Sequence, residues 1–157
     1  MAIDRKETTR MLSVLLEAHL NPFKDPRVYM AKEVTFDYGT DHSIRVDYMR
    51  FLPANNTISG LEKGDFYCYE IKSSVEDFRS PNGHNFIGEF NYYVMPLEVY
   101  EAVENEIPFR VGVYVPRNGE LVSVKRAKNS YRQRPMAEML LMMFRSSNRD
   151  KLNERGN

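Results

Sequence analysis

The stretch from Asp65 to Ser73 reads Asp-Phe-Tyr-Cys-Tyr-Glu-Ile-Lys-Ser, an apolar run of strand length that turns charged only towards its end. Side chains on a strand alternate between faces, so Phe66, Cys68, Glu70 and Lys72 share one face while Ile71 points into the opposite layer. Glu and Lys are costly on a buried sheet surface unless they satisfy one another or hold a metal. On the preceding candidate strand, Ile44 to Phe51, a lone acid, Asp47, lies on the side opposite Ile44, Val46 and Tyr48. Two carboxylates and an amine gathered at the end of a hairpin can hold a hard cation and a water beside a phosphodiester. The plainer alternative for these residues is a cross-strand ion pair.

A chain of 157 residues with 42% hydrophobic content can build one domain with a real core, and no stretch resembles a linker, so residues 1–157 are read as a single domain. The only cysteine, Cys68, has no partner, which removes a disulfide framework and a cysteine-based zinc site and fits a reducing cytoplasm. No basic segment followed by a continuous apolar run opens the chain, and no window nears the ~18 apolar residues of a spanning helix. The expectation is a cytoplasmic protein with no membrane contact. Lys plus Arg and Asp plus Glu number 22 each, so bulk electrostatics would not coat nucleic acid. A local surface is a separate matter: Lys125, Arg126, Lys128, Arg132 and Arg134 follow one another with no intervening acid and with Tyr131 among them. Such a segment can line a phosphate backbone, or it can be a solvated connection to the last helix.

Asp4 and Glu7 have the form of a capping box, and Met11, Leu12, Leu15, Leu16 and Leu20 recur at helical spacing until Asn21-Pro22. Met30 to Tyr38 alternate as a first strand, with Val34, Phe36 and Tyr38 on one face and Glu33, Thr35 and Asp37 on the other. A polar loop rich in Asn and Gly connects the second and third strands. Val75 to Arg79 can form a short helix, broken by Ser80-Pro81-Asn82-Gly83, and Phe90 to Met95 is a β-favouring aromatic run before a helix opened by Pro96. Asn118-Gly119 joins Val111–Val115 to Leu121–Lys125 as a hairpin. From Pro135 a helix places Met136, Met139, Leu140, Met143 and Phe144 on one apolar stripe that fills the core.

This order predicts an α/β fold of three layers, with a mixed central sheet flanked by helices and a C-terminal hairpin and helix. The order, together with Asp47 and Glu70-Ile71-Lys72, resembles the restriction-endonuclease-like PD-(D/E)xK superfamily. The core of that superfamily is a helix, three antiparallel strands, a helix and a strand (αβββαβ), with acids on strands two and three. Tyr69-Glu70-Ile71-Lys72-Ser73-Ser74, then Asp77-Phe78 and an aromatic strand ending in Pro96, is similar to MmcB-type DNA-repair and phage-encoded relatives over roughly Glu33 to Lys125. Two departures are visible: Val46 stands where the superfamily's nominal proline would precede the acid, and Pro81-Asn82-Gly83 interrupts a segment that relatives carry on a helix.

The resemblance implies that Asp47 and Glu70 ligate Mg²⁺ or Mn²⁺, with the Ile71 carbonyl as a further ligand and Glu33 or Glu17 as accessory acids. Lys72 would then hold and polarise the attacking water. Ser73, His84 and Asn85 become candidate phosphate or water contacts, joined by Lys125, Arg126, Lys128 and Arg132 from the basic segment. The implied function is a metal-dependent nuclease acting on DNA in repair, recombination or phage DNA metabolism. A homodimer is compatible with it because two cuts in a duplex need two sites. The alternatives are a catalytically silent nucleic-acid-binding relative and a small adaptor protein.

Overall fold

The apolar stripe at the N-terminus forms α1 (Arg5–Leu20), with the Asp4 side chain capping its first turn and Leu12, Leu16 and Leu20 buried. Each such leucine contributes about 1.5–3 kcal/mol through burial. The strands are β1 (Tyr29–Phe36), β2 (Ile44–Leu52), β3 (Asp65–Ile71), β4 (Phe90–Val94), β5 (Gly112–Arg117) and β6 (Glu120–Lys125). Four further helices separate or follow them: α2 (Ile58–Glu62), α3 (Val75–Arg79), α4 (Leu97–Val103) and α5 (Met136–Arg155). The computed structural model describes residues 4–156.

All six strands form one mixed sheet in chain order, β1-β2-β3-β4-β5-β6. β3, β4 and β5 run parallel, and the remaining neighbours are antiparallel. The parallel pairs require crossovers, which α3 and α4 supply, whereas β5 and β6 turn directly through Asn118 and Gly119. Both of those residues have positive φ, 51° and 80°, as a two-residue hairpin of the right twist requires.

Helices cover both faces. α1 packs with Tyr48, Tyr69, Ile71, Val94 and Leu121 on one face. The other face is divided: α5 lies over β1 to β3 through Met139 and Met143, and α3 and α4 lie over Tyr93, Val113 and Val115. Among the described residues no helix is long and apolar enough to cross a membrane.

Several local expectations change. The loop between the second and third strands contains the short helix α2, capped by the Thr57 side chain. β1 stops at Phe36, and Tyr38 is solvent-exposed. Ile44 and Val46 face α5 as Met49 and Phe51 do, but Tyr48 faces α1, so alternation slips by one residue at Asp47. The cause lies across the pair, where Glu33 takes a left-handed φ of 51° and drops out of the β1–β2 ladder between Lys32/Tyr48 and Val34/Val46. In α5 the buried stripe is Met139 and Met143 with Met136 and Met142 beside it, whereas Leu140 and Phe144 are exposed. The helix rests on a sheet edge and buries a narrower arc than a fully covered helix would.

Candidate active site

β2 and β3 are paired from Leu52/Asp65 to Tyr48/Tyr69 and then part. One residue further along this register Asp47 comes opposite Glu70, and residues opposite one another in an antiparallel pair project to the same face. The Asp47 side chain takes over from the ladder: its Oδ2 accepts the Ile71 N–H at 2.8 Å. The Asp47 and Glu70 carboxyl groups thereby come close enough to influence one another at the end of the sheet where β3 and β4 terminate.

Glu70 is completely buried, and neither of its carboxylate oxygens has a hydrogen-bond donor among the described residues. The Asn85 main-chain N–H faces the group without completing a hydrogen bond to it. Burial first, and the adjacent Asp47 charge second, push the Glu70 carboxyl up to about 9. Burial also raises Asp47, against the opposing pull of the Ile71 N–H, Arg45 and Lys72. A buried carboxyl and a half-buried one beside it ionise together only at a high cost unless a cation lies between them. An all-oxygen pair with orphaned acceptors is the donor set that a hard divalent ion uses.

Lys72 is 2% exposed, and its Nζ donates to the Asn82 carbonyl at 2.7 Å and the Asp77 carbonyl at 3.4 Å. An ammonium has three donors, so one remains for the cleft. Those carbonyls belong to α3 and the turn after it, which Asp77 fastens by accepting the Ser73 N–H at 3.0 Å and by pairing with Arg5 at 2.6 Å. Gly83, at φ +77°, closes over the amine: a Cβ there would lie 2.6 Å from Lys72 Nζ and 3.4 Å from Glu70 Oε2. Gly83→Ala is therefore expected to lower stability by about 1–2 kcal/mol through backbone conformation alone, and to displace the amine as well. Gly39→Ala, at φ +81° with open space around it, is the matched control; chemical denaturation should show the larger loss at Gly83.

A cleft of about 1180 Å³ opens in front of Asp47 and Lys72. Its walls are one side of α1, bearing Arg5, Arg10, Ser13 and Glu17, together with Lys32, Arg45, Ile71 and the turn from Ser80 to Asn85. Arg10, Lys32 and Arg45 form no ion pair among the described residues, and they line the cleft together with the carboxylates of Glu17, Glu33, Asp47 and Asp77.

Of the accessory acids, Glu17 lines the cleft and accepts the Tyr48 hydroxyl at 3.0 Å. Glu33 lines the cleft as well, and its carboxylate lies 3.9 Å from Arg149 Nη2. No group of three metal-ligating side chains occurs among the described residues. Ser73 is buried and bonds Asp77 through both its N–H and its Oγ, a bracing position. His84 has both ring nitrogens engaged internally, with the Tyr93 hydroxyl at 2.6 Å and the Ser80 carbonyl at 2.8 Å, so a phosphate contact by His84 gives way to a role in holding the turn. Asn85 does line the cleft, its Nδ2 donating to the Arg45 carbonyl.

The basic segment is placed differently from its expected role. Lys125, Arg126, Lys128 and Arg132 line none of the cleft, because the chain after β6 runs past the beginnings of β5, β4 and β3, at the other end of the sheet. Sequence reading instead passed over Arg10, Lys32 and Arg45. For Arg10 the available signal was its place on the polar side of α1 beside the leucine stripe, whereas Lys32 and Arg45 lie on β1 and β2.

No known protein family and no curated protein matches the chain. The solved structure of the SPO1766 protein of unknown function from Silicibacter pomeroyi is similar, with a TM-score of 0.59 and 16% identity over 100% of this chain and 94% of that one. At that identity the likeness concerns the fold, an α/β arrangement with a mixed sheet flanked by helices.

Proposed function

We propose that the cleft is the site of a metal-dependent nuclease that hydrolyses phosphodiester bonds in DNA, on a restriction-endonuclease-like PD-(D/E)xK fold. The observation that carries the proposal is the buried Glu70 carboxyl, both oxygens without a donor, close to Asp47 and beside a buried lysine. The order α1, β1, β2, β3, α3, β4, with acids on the second and third strands and Lys72 just beyond the third, supports the family reading.

Asp47 and Glu70 would hold Mg²⁺ or Mn²⁺, with the Ile71 carbonyl as a further oxygen ligand. Bound there, the ion would lower the pKa of a coordinated water and offset charge on the phosphoryl oxygens. Lys72 directs its free N–H donor at the attacking water, and its fixed charge stabilises the negative charge that builds on the phosphate. Because Asn82 and Asp77 hold the amine in place beforehand, little reorganisation is needed as that charge develops. Arg10, Lys32 and Arg45, which line the cleft without an ion-pair partner among the described residues, suit a phosphate backbone.

The test is cleavage of plasmid and oligonucleotide DNA with Mg²⁺ or Mn²⁺, with EDTA as control. Asp47→Asn, which removes charge while keeping volume, is expected to lose calorimetric Mn²⁺ binding and to lower cleavage by at least about a hundredfold. Cleavage that survives EDTA, or that Asp47→Asn leaves intact, rules the proposal out. Metal-independent DNA binding without cleavage would favour the catalytically silent relative instead.

A further inference from the structure

The irregular segment 126–134 crosses the end of the sheet at which β3, β4 and β5 begin. It is held in place at intervals: the N–H groups of Lys128, Ser130 and Gln133 donate to the carbonyls of Arg110, Glu89 and Ile87 at 2.9, 2.7 and 3.0 Å. The Arg110 side chain clasps the Asn129 carbonyl from the neighbouring turn. Despite this anchoring, Tyr131 is 91% exposed and Phe109, on that same turn, is 74% exposed. The Lys128 ammonium sits 5.6 Å above the Phe109 ring. Arg126 and Lys128 are exposed and have no carboxylate partner among the described residues. Of the two acids in the adjoining hollow, Glu89 is taken up by Arg132 and the Phe66 N–H, which leaves Asp65.

Two rigidly displayed rings with unpaired cations beside them form a surface on which flat π-faces can stack while phosphates are held. A duplex hides its base faces, whereas a single strand offers them. We propose that this rim is a second nucleic-acid contact, separate from the cleft, that binds single strands by stacking unpaired bases on Tyr131 and Phe109 while Arg126 and Lys128 hold the phosphates. The two contacts lie at opposite ends of β3, roughly 20 Å apart at the rise of a strand. The rim therefore does not depend on the cleft's metal or on cleavage.

The experiment measures fluorescence anisotropy of a labelled oligo(dT) of about 20 nucleotides with the full chain in EDTA, where the proposed cleavage is silent. Tyr131→Ala with Phe109→Ala, and separately Arg126→Ala with Lys128→Ala, are each expected to weaken binding about tenfold or more. Tyr131→Phe keeps the ring and should bind as the unaltered chain does. Oligo(U) should bind comparably, and a duplex of the same length about tenfold more weakly. All four substituted positions are exposed, so thermal melting should remain unchanged and confirm intact folding. Lys63→Ala with Lys151→Ala, which removes two exposed cations that line neither the rim nor the cleft, should leave oligo(dT) binding in place. The proposal is overturned by undiminished binding in both rim variants, by equal affinity for duplex, by no binding of the unaltered chain, or by an equal loss in the Lys63→Ala, Lys151→Ala control. None of these outcomes bears on Mg²⁺-dependent cleavage of duplex, which tests the cleft separately.

Discussion

Lys72→Ala is expected to reduce Mg²⁺-dependent DNA cleavage by about 10²–10⁴-fold while leaving Mn²⁺ binding as tight as before, or tighter. The asymmetry follows from the site's geometry. The amine reaches main-chain carbonyls and the cleft, and it is not a ligand to anything that Asp47 and Glu70 hold. Removing it takes away the water-orienting donor and the fixed charge that opposes the developing phosphate anion, but keeps both carboxyls. It also removes a cation that repels the metal. The Asn82 carbonyl, on an exposed turn, loses its donor, so a stability loss of about 1 kcal/mol should accompany the change. Calorimetric titration with Mn²⁺, single-turnover cleavage and denaturation of the same preparation separate the three effects. If Lys72→Ala cleaves normally, the amine is only a structural brace; if it abolishes metal binding, the assignment of roles between Lys72 and the carboxyls is wrong.

A second large effect concerns pH and the unliganded protein. The Glu70 carboxyl titrates at about 9 when folded against 4.5 for an ordinary glutamate, and Asp47 is shifted in the same direction. Between those values the folded chain retains a proton that the unfolded chain has released. The contribution to stability is therefore full below about pH 4.5 and is lost progressively as pH rises towards 9. Metal-free protein should melt at falling temperature across this interval. Glu70→Gln removes the titration and supplies a donor to Asp47, so it should flatten the curve and raise the melting temperature near pH 8 by roughly 4–10 °C. Mn²⁺ should stabilise the unaltered chain increasingly with pH, because binding must displace the proton, and should have little effect on Glu70→Gln. Parallel pH profiles for the two proteins would show that Glu70 is not the buried acid inferred above.

The α/β class and most element positions were legible because long signals carried them: the leucine spacing of α1, the alternation in β1 to β3, the Asn-Gly hairpin and the Pro-initiated helices. The carboxyl pair was legible for the same reason, since a period of two puts Glu70 on the face of Phe66 and Cys68 whatever the tertiary setting. What failed to show were features decided by single backbone angles or by long-range placement. The left-handed turn at Glu33 gives no local warning, because Glu is not a residue that favours it, yet it accompanies the slip that sends Tyr48 to the α1 side. The basic run after β6 gave a true signal of charge, but its location depended on hydrogen bonds to Arg110, Glu89 and Ile87, which no spacing rule predicts. His84, expected as a phosphate or water contact, likewise owes its role to the Tyr93 hydroxyl and the Ser80 carbonyl on its two nitrogens, partners that the sequence does not announce.

The strands lie side by side in the order in which they are synthesised, so each newly made strand can dock on the one before it without being threaded between existing neighbours. A chain that has emerged from the ribosome as far as Val94 already contains Asp47, Glu70, Lys72, the Asn82 shelf and Tyr93. The underside of β1 to β3, in contrast, waits for α5, whose methionines arrive last. The end of the sheet that carries Asp47 and Glu70 can thus take shape while the apolar surface under α5 is still uncovered, which makes the docking of α5 the step that decides between a folded product and a sticky intermediate.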